Sequence, residues 1–292
     1  MTIYKEAKTF TTDVDEPLAI PPRAKRGVAE RRGLRLCWQI AILVAFLAVW
    51  QFAPDWPFLV KHVSFFNRIF ISSPVAVVKT LNELLFTGKN NIPFVWPYLR
   101  VTVEATVFGC IIGLFAGALL GLLFSNSPAL GSISRPFIVL ANSIPRVALI
   151  PIFVLLFGAT IKASTVNVAI VVFFIGFFNA YEGGISINQA VIDNVKLLGA
   201  KPIDVMWSVR RPMVIAWTFA AVPNAISFGL AVAVTCELLT GIQGIGNLLL
   251  TATSNIESGL TFALIVILCV VGLIMYWGAT WSKSRILHWQ GK

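Results

Sequence analysis

Residues 103–124 read VEATVFGCIIGLFAGALLGLLF, a run in which Glu104 is the only charged side chain. An α-helix needs about 20 predominantly apolar residues to cross the hydrocarbon core of a bilayer. Because backbone polar groups in lipid must be satisfied internally, and the alternation of a barrel strand is absent, such runs predict helices. The sequence therefore predicts an all-α membrane protein with about six transmembrane helices. The predicted spans are 36–53, 103–124, 136–157, 164–181, 213–236 and 260–281.

The composition of the whole chain agrees with this prediction. Its 292 residues are 57% hydrophobic and 12% charged, whereas a soluble domain carries about 25% charged residues. The net charge of +10 does not indicate nucleic acid, because no basic and aromatic platform is visible and six bases directly precede the first span. The four cysteines lie in or beside apolar segments without metal-ligand spacing, so no metal site is predicted.

The placement of Lys and Arg predicts the orientation of the spans. With the N-terminus inside, 16 of the 23 basic residues fall on the inner side and 5 on the outer side, which favours both termini in the cytoplasm. The predicted organisation is a basic cytoplasmic tail (1–35), a retained first transmembrane helix (36–53), an extracytoplasmic loop with an amphipathic helix (54–98) and a core transmembrane domain (99–292).

An inner loop, 182–212, joins the fourth and fifth predicted spans and contains SINQAVIDNVKLLGAKPIDVMWSVRRP from residue 186 onwards. Gly199 suits the C-terminal cap of a first helix, and Pro202 suits the first turn of a second. Pro212 is predicted to end the loop at the mouth of the fifth span. The second helix carries Ile203, Met206 and Trp207, which either pack on the protein's own spans or fill a groove in a partner.

Polar groups within or beside the spans are candidates for a solute pathway, because such groups are costly in lipid. Arg146 follows Asn142 and lies between two prolines that would break the helix, and irregular backbone at membrane depth is tolerated where it lines a cavity. Asn224 and Glu237 in the fifth span are further candidates. The alternatives are a structural ion pair for Arg146 and a position at the outer headgroups for Glu237.

The inner loop resembles the signature loop of the permease subunits of ABC importers, which reads Glu-Ala-Ala-x-x-x-Gly and ends hydrophobic-x-Leu-Pro. Asp193 stands for the Glu, Gly199 and Ala200 match, and Val209 to Pro212 form the ending with Arg211 in place of Leu. In order along 71–290, the segments at Ser73–Val78, Thr102–Gly109, Ile144–Gly158, Glu237–Gly246 and Arg285–Trp289 are similar to the nitrate/sulfonate/taurine class of these permeases.

This resemblance implies a permease subunit of the bacterial inner membrane that moves a small solute, a nitrate-, sulfonate- or taurine-like anion or a related organic molecule. The partners it implies are an ATP-binding ABC subunit, an extracytoplasmic solute-binding protein and a second permease copy, with a homodimer expected and a heterodimer left open. The short helix of the inner loop would act as the coupling helix. The residues expected to couple it to the ATPase are Asp193, Gly199, Ala200, Ile203, Met206, Trp207 and Pro212.

On this interpretation Asp193 braces the loop by capping it or by pairing with Lys196 or Lys201. The sequence has no Gly-x-x-x-x-Gly-Lys-Ser/Thr phosphate loop. We therefore expect no enzymatic site and no cofactor on this chain, with ATP and Mg²⁺ bound by the partner. The alternative function is a secondary transporter driven by an ion gradient, which would need coupling carboxylates at the midplane.

Overall fold

The computed structural model describes residues 28–52, 54, 68–87 and 94–286, so the tail before Val28 lies outside the described residues. The regular elements in this part of the chain are helices, and they are named here in chain order. They are α1 (Val28–Phe52), α2 (Arg68–Ile71), α3 (Pro74–Asn82), α4 (Val95–Asn126), α5 (Pro128–Ser143), α6 (Ile150–Phe157), α7 (Ile161–Ile185), α8 (Gln189–Leu197), α9 (Pro202–Val205), α10 (Arg211–Thr240), α11 (Ile245–Ser254) and α12 (Ser258–Ile286).

Five of the six predicted spans are helices long and apolar enough to cross a membrane on their own. They are Arg35–Phe52, Val95–Asn126, Ile161–Ile185, Pro202–Thr240 and Ser258–Lys283. The all-α membrane fold is thus confirmed. The chain divides into two compact units, Met1–Trp50 and Gln51–Lys292, and the inner loop lies within the second.

The third predicted span, 136–157, is not a continuous helix, and this expectation was wrong. Helix α5 ends at Ser143, and Ile144 and Pro145 are extended, with ψ of 127° and 106°. A 3₁₀ turn, Arg146–Leu149, then leads into α6. Proline supplies no N–H and disfavours helical backbone at the residue before it, which accounts for the end of α5 at Ser143, before Ile144 and Pro145.

The packing of α4 on α7 shows that this broken segment still crosses the bundle. Gly109 lies against Val168, and Gly121, three turns further along, lies against Ala180. Both helices therefore run in the same direction. Since parallel neighbours cannot be joined by a short turn, residues 127–160 must return along the full length of the pair, which makes them the remaining crossing.

Contacts at the two ends of the broken segment agree with this path. Gly131, near the start of α5, lies beside the Tyr181 hydroxyl at the end of α7. Ile150, at the start of α6, is buried in a cluster with Cys236 and Ile242 at the other end of the bundle. Two short helices and an extended link thus span what one helix spans elsewhere.

The seam between α4 and α7 depends on glycine at every fourth position of α4. A Cβ added at Gly113 would lie 2.5 Å from the Ala169 carbonyl oxygen, and one at Gly117 would lie 2.5 Å from that of Phe173. Helices in lipid associate through close packing of small residues, because there is no hydrophobic gain from leaving the lipid. These glycines therefore set the distance at which the two backbones meet.

Helix α10 runs antiparallel to α4 and α7 and completes the core. The Cys110 thiol lies 3.5 Å from the Ala225 carbonyl oxygen, and these two residues belong to a buried cluster with Val168 and Val172. The core of the bundle is therefore formed by α4, α7 and α10, on which α11 and α12 pack from outside.

A helix follows Ser73, where the sequence predicts an amphipathic one. This helix, α3, continues as a π-helical segment, Glu83–Thr87. The Ser73 hydroxyl caps it by accepting a hydrogen bond from the Ala76 N–H at 3.3 Å. Val77 and Leu84 are buried, and α3 packs against α12. The helix therefore packs within the protein through Val77 and Leu84, whereas Val75 and Val78 of the predicted apolar face are exposed.

Candidate functional site

The turn of the inner loop is built by Gly199, as the sequence predicts. Its φ of +88° lies in the left-handed region, where a residue with a Cβ is disfavoured by roughly 1–2 kcal/mol. The Ala200 N–H donates to the Val195 carbonyl at 3.3 Å, and the Gly199 N–H donates to the Lys196 carbonyl at 2.9 Å. Nothing lies within 4 Å of a Cβ built at Gly199, so glycine is needed here for its backbone angle.

A carboxylate braces the start of the second helix, but it is not that of Asp193. The Lys201 N–H donates to Asp204 Oδ2 at 2.9 Å, which ties the turn to α9. Asp193 instead accepts a hydrogen bond from Gln189 Nε2, one turn earlier in α8, at 2.9 Å. The predicted bracing by Asp193 is therefore corrected, because a residue in the middle of α8 reaches its own helix first.

The chain's own helices leave the tip of the inner loop apolar and uncovered. Ile203 and Trp207 are 51% and 52% exposed, Met206 is half-buried, and Ala200 is half-buried in the turn. Leu197 and Leu198 are more exposed still, at 85% and 88%, and sequence reasoning missed them. Their position in the sequence could have identified them. They directly precede the capping glycine, and side chains at such a helix end have few neighbours in their own helix to cover them.

Pro212 does not end the loop, contrary to the prediction. The chain is helical without a break from Pro202 to Thr240, through a π-helical segment at Met206–Arg210. The Arg211 N–H donates to the Met206 carbonyl five residues earlier. This is the i→i−5 bond of a π-helix, and it replaces the usual i→i−4 bond at the residue before Pro212. The predicted coupling helix and the fifth span are thus one continuous helical segment, which is called the lever below.

Glu237, at the other end of this lever, is completely buried. Its Oε2 accepts hydrogen bonds from the Thr102 hydroxyl and from the Gly246 N–H, both at 2.9 Å. The Thr102 oxygen in turn accepts from the Ile245 N–H at 3.0 Å. A side chain at Gly244 would collide with the Glu237 carboxylate, so the loop is moulded around it.

This network corrects two expectations from the sequence. From Gly241, Gly244 and Gly246 the sequence predicts a flexible turn over residues 238–259, on the outer side. This segment, called the outer loop below, instead contains α11 and is anchored by Glu237. Glu237 was a candidate for the pathway or for the headgroup layer, but the structure places it inside the fold, where two protein groups donate hydrogen bonds to its carboxylate. A role in holding the outer loop explains its position directly.

Asn224, in contrast, lies on an open face of α10. Ala220, Asn224, Ser227 and Ala231 are all exposed and lie on one side of the helix. The Ser227 hydroxyl donates a hydrogen bond to the Pro223 carbonyl of its own helix at 3.1 Å. A polar and small face near the middle of a span is costly in lipid, so it belongs against water or another helix.

Arg146 is half-buried in the 3₁₀ turn, with its guanidinium 5.6 Å from the centre of the Phe174 ring. Asn142 lies in the last turn of α5, and its side chain is outside the described residues. Asn224 and Glu237 are separated along α10 by about 20 Å at 1.5 Å per residue. The four predicted pathway residues therefore do not form one cluster, and contact of Arg146, Asn142 and Asn224 with solute stays a prediction.

Comparisons with known proteins identify the class. Residues 109–288 match the family described as the binding-protein-dependent transport system inner membrane component, and the chain belongs to this family. A probable ABC transporter permease of Haemophilus influenzae is 26% identical, covering 87% of this chain and 98% of that protein. The putative aliphatic sulfonates permease SsuC of Bacillus subtilis is 22% identical over 93% and 95%, and the taurine permease TauC of Escherichia coli 21% over 87% and 90%.

Among solved structures, a chain of the MetNI methionine ABC transporter in its inward-facing conformations shares the fold. The TM-score is 0.53 at 18% identity, over 68% of this chain and 94% of that one. The multi-pass chain is the membrane-spanning permease subunit of an ATP-driven importer. These findings support the transporter predicted from the loop and not the alternative driven by an ion gradient.

Proposed function

We propose that the inner loop docks an ATP-binding subunit and that the continuous helix from Pro202 to Thr240 carries the motion of that subunit into the membrane. The observation behind this proposal is that the exposed apolar tip and the fifth span are one helix. Because a helix is stiff along its axis, a displacement of Ile203 and Trp207 moves α10 directly. Gly199 and Ala200 form the pivot that separates this lever from α8.

The orientation follows from charge and topology taken together. The surplus of Lys and Arg lies on the side of the inner loop, which favours the cytoplasm. With the broken segment as a crossing, the number of crossings is even, so we propose that both termini are cytoplasmic. The Glu237 network and α3 then lie at the outer end.

The partners we propose are those that the class requires. The sequence contains no phosphate loop, so ATP and Mg²⁺ bind to a separate ATPase subunit, and this chain binds no cofactor of its own. A solute-binding protein delivers the solute to the outer end. The exposed polar face of α10 pairs with a second permease copy, most simply an identical one, and encloses the pathway between them.

The solute we propose is a small anion of the sulfonate type. Two relatives that cover most of the chain are named for aliphatic sulfonates and taurine. Arg146 supplies a guanidinium beside Phe174 at the break between α5 and α6, and an arginine suits an oxyanion because it offers paired donors. Asn142 and Asn224 are the polar groups proposed to line the same pathway.

The docking proposal is tested by purifying the tagged chain gently from its native membrane together with an Ile203→Asp/Trp207→Asp variant. The control is Ile256→Asp, which places one such charge on an exposed apolar residue at the outer end. We expect an ATP-binding subunit to accompany the wild type and the control, and to be lost from the double variant. Recovery of the ATPase with all three forms would refute the docking site.

A further inference from the structure

A second site lies behind the coupling lever. A cavity of about 350 Å³ opens between the inner ends of α4 and α7, helix α8 and the π-helical segment. The polar side chains that line it are Ser125, Tyr181, Gln189 and Arg210. The cavity therefore adjoins both the fixed core and the lever that extends from the inner loop.

Arg210 brings a positive charge to this cavity, and at least one N–H of its guanidinium has no acceptor. Its Nε is buried and has no hydrogen-bond partner, and no ion pair involves Arg210 within the described part of the chain. A buried donor without an acceptor is energetically unfavourable, so such a group favours binding of an acceptor. The adjacent Arg211 is different, because its guanidinium stacks on the Trp207 ring at 4.8 Å.

The other polar groups around the cavity leave room for an anion. The Gln189 amide is engaged by Asp193, and the Ser125 hydroxyl donates to the Leu122 carbonyl at 3.0 Å. Glu182 lines a neighbouring cavity of about 270 Å³ and forms no salt bridge with Arg210. Arg210 and the Tyr181 hydroxyl are thus the donors available to an occupant.

We propose that this cavity binds a tetrahedral oxyanion, a phosphate or sulfonate group, between Arg210 and Tyr181. A guanidinium and a phenol hydroxyl are the donors that such oxygens accept. The anion belongs either to the headgroup of an anionic phospholipid in the inner leaflet or to a free oxyanion such as a released solute. Because the occupant bridges α7 and the lever, it restrains the movement of the coupling helix and so regulates transport.

The effect of the anion on transport rests on the proposed docking function. Binding of the anion does not, and it is measurable on the full-length chain without ATP or partners. The chain is reconstituted in phosphatidylcholine nanodiscs with and without phosphatidylglycerol. Separate samples without anionic lipid receive inorganic phosphate or methanesulfonate against chloride at equal ionic strength. The readouts are thermal stability and the lipid retained in native mass spectrometry.

The variants are Arg210→Gln and Tyr181→Phe, with Arg211→Gln as the matched control for charge at the same membrane depth. We expect Arg210→Gln to weaken anion binding about tenfold or more, as loss of a hydrogen bond to a charged group predicts, and Tyr181→Phe about threefold or more. Arg211→Gln should retain the response.

A response to phosphatidylglycerol alone identifies the lipid as the source, and a response to the soluble anions identifies a free ligand. Either result with this variant pattern supports the site. Equal losses in Arg210→Gln and Arg211→Gln would show a diffuse charge effect and overturn the proposal, as would the absence of any anion response in the wild type. If Arg210→Gln fails to fold, Tyr181→Phe against Arg211→Gln decides the question.

Discussion

The inner and outer loops of this permease hold their shape by opposite means. The turn at Gly199 is fixed by hydrogen bonds between residues at most five apart, such as Ala200 to Val195. The loop before α11 is fixed by Thr102 and Glu237, which are 135 residues apart. The inner loop is thus a local structure with an exposed apolar tip, and the outer loop is a tertiary structure held by a buried carboxylate.

This difference matches the work that each loop does in the proposed mechanism. A loop that docks a partner must offer its apolar residues to that partner, so its own stability comes from caps and turns. A loop at the outer end of the lever moves with α10 only if it is attached to it, and the buried carboxylate supplies that attachment. Substitutions at the two ends should therefore fail in different ways.

The largest expected effect is at the outer loop. Glu237→Ala leaves the Thr102 hydroxyl and the Gly246 N–H without their acceptor in a buried site, which should destabilise the protein by on the order of 3 kcal/mol. Thermal unfolding of the purified chain and hydrogen exchange of the Gly246 amide measure this loss. The exposed Glu257 serves as control. Equal stability of Glu237→Ala and Glu257→Ala would show that the Glu237 hydrogen bonds do not stabilise the protein.

At the inner loop, Ile203→Asp and Trp207→Asp should abolish coupling while leaving the fold intact. Surface substitutions change stability within about 0.5 kcal/mol, whereas a charge in an apolar docking interface should reduce transport tenfold or more. Solute uptake in vesicles and thermal unfolding on the same preparations separate the two effects. A large drop in unfolding temperature would mean that these side chains stabilise the chain itself.

Gly199→Val tests the pivot. Because the position needs a φ of +88° but has open space around it, the substitution should cost roughly 1–2 kcal/mol through the backbone alone. ATP hydrolysis should then proceed with several-fold less transport per ATP. Gly199→Asn is the matched rescue, since asparagine tolerates this conformation. Normal coupled transport in the valine variant would argue against a pivot here.

The smallest expected effect distinguishes the two acidic residues of the inner loop. Asp204→Ala removes the bond to the Lys201 N–H and should cost about 0.5–1 kcal/mol, as for other helix caps. Asp193→Ala loses only a contact within α8, for which about 0.2–0.5 kcal/mol is expected. Chemical unfolding of both variants gives the comparison, and the reverse order would restore Asp193 as the brace.

Several features of this protein were predictable because they depend on neighbouring residues. The apolar runs give five of the crossings, Gly199 gives the turn, and the serine and proline at 73 and 74 give the start of α3. The ordered motifs gave the family. The apolar side chains of the second loop helix were recognised, but their exposure was open, since a sequence does not show which other helices reach them.

What the sequence alone determined is therefore the all-α membrane class, the loop with its capping glycine and the kind of transporter. The tertiary structure decided that α4 and α7 run parallel and that the broken third segment, which connects them, returns across the bundle. It also placed Pro212 inside a continuous lever. It also decided that Glu237 is an internal anchor and that Arg210 faces a cavity. The physical reason is range: caps and apolar runs act over a few residues, whereas these features depend on groups more than a hundred residues apart or on how whole helices pack.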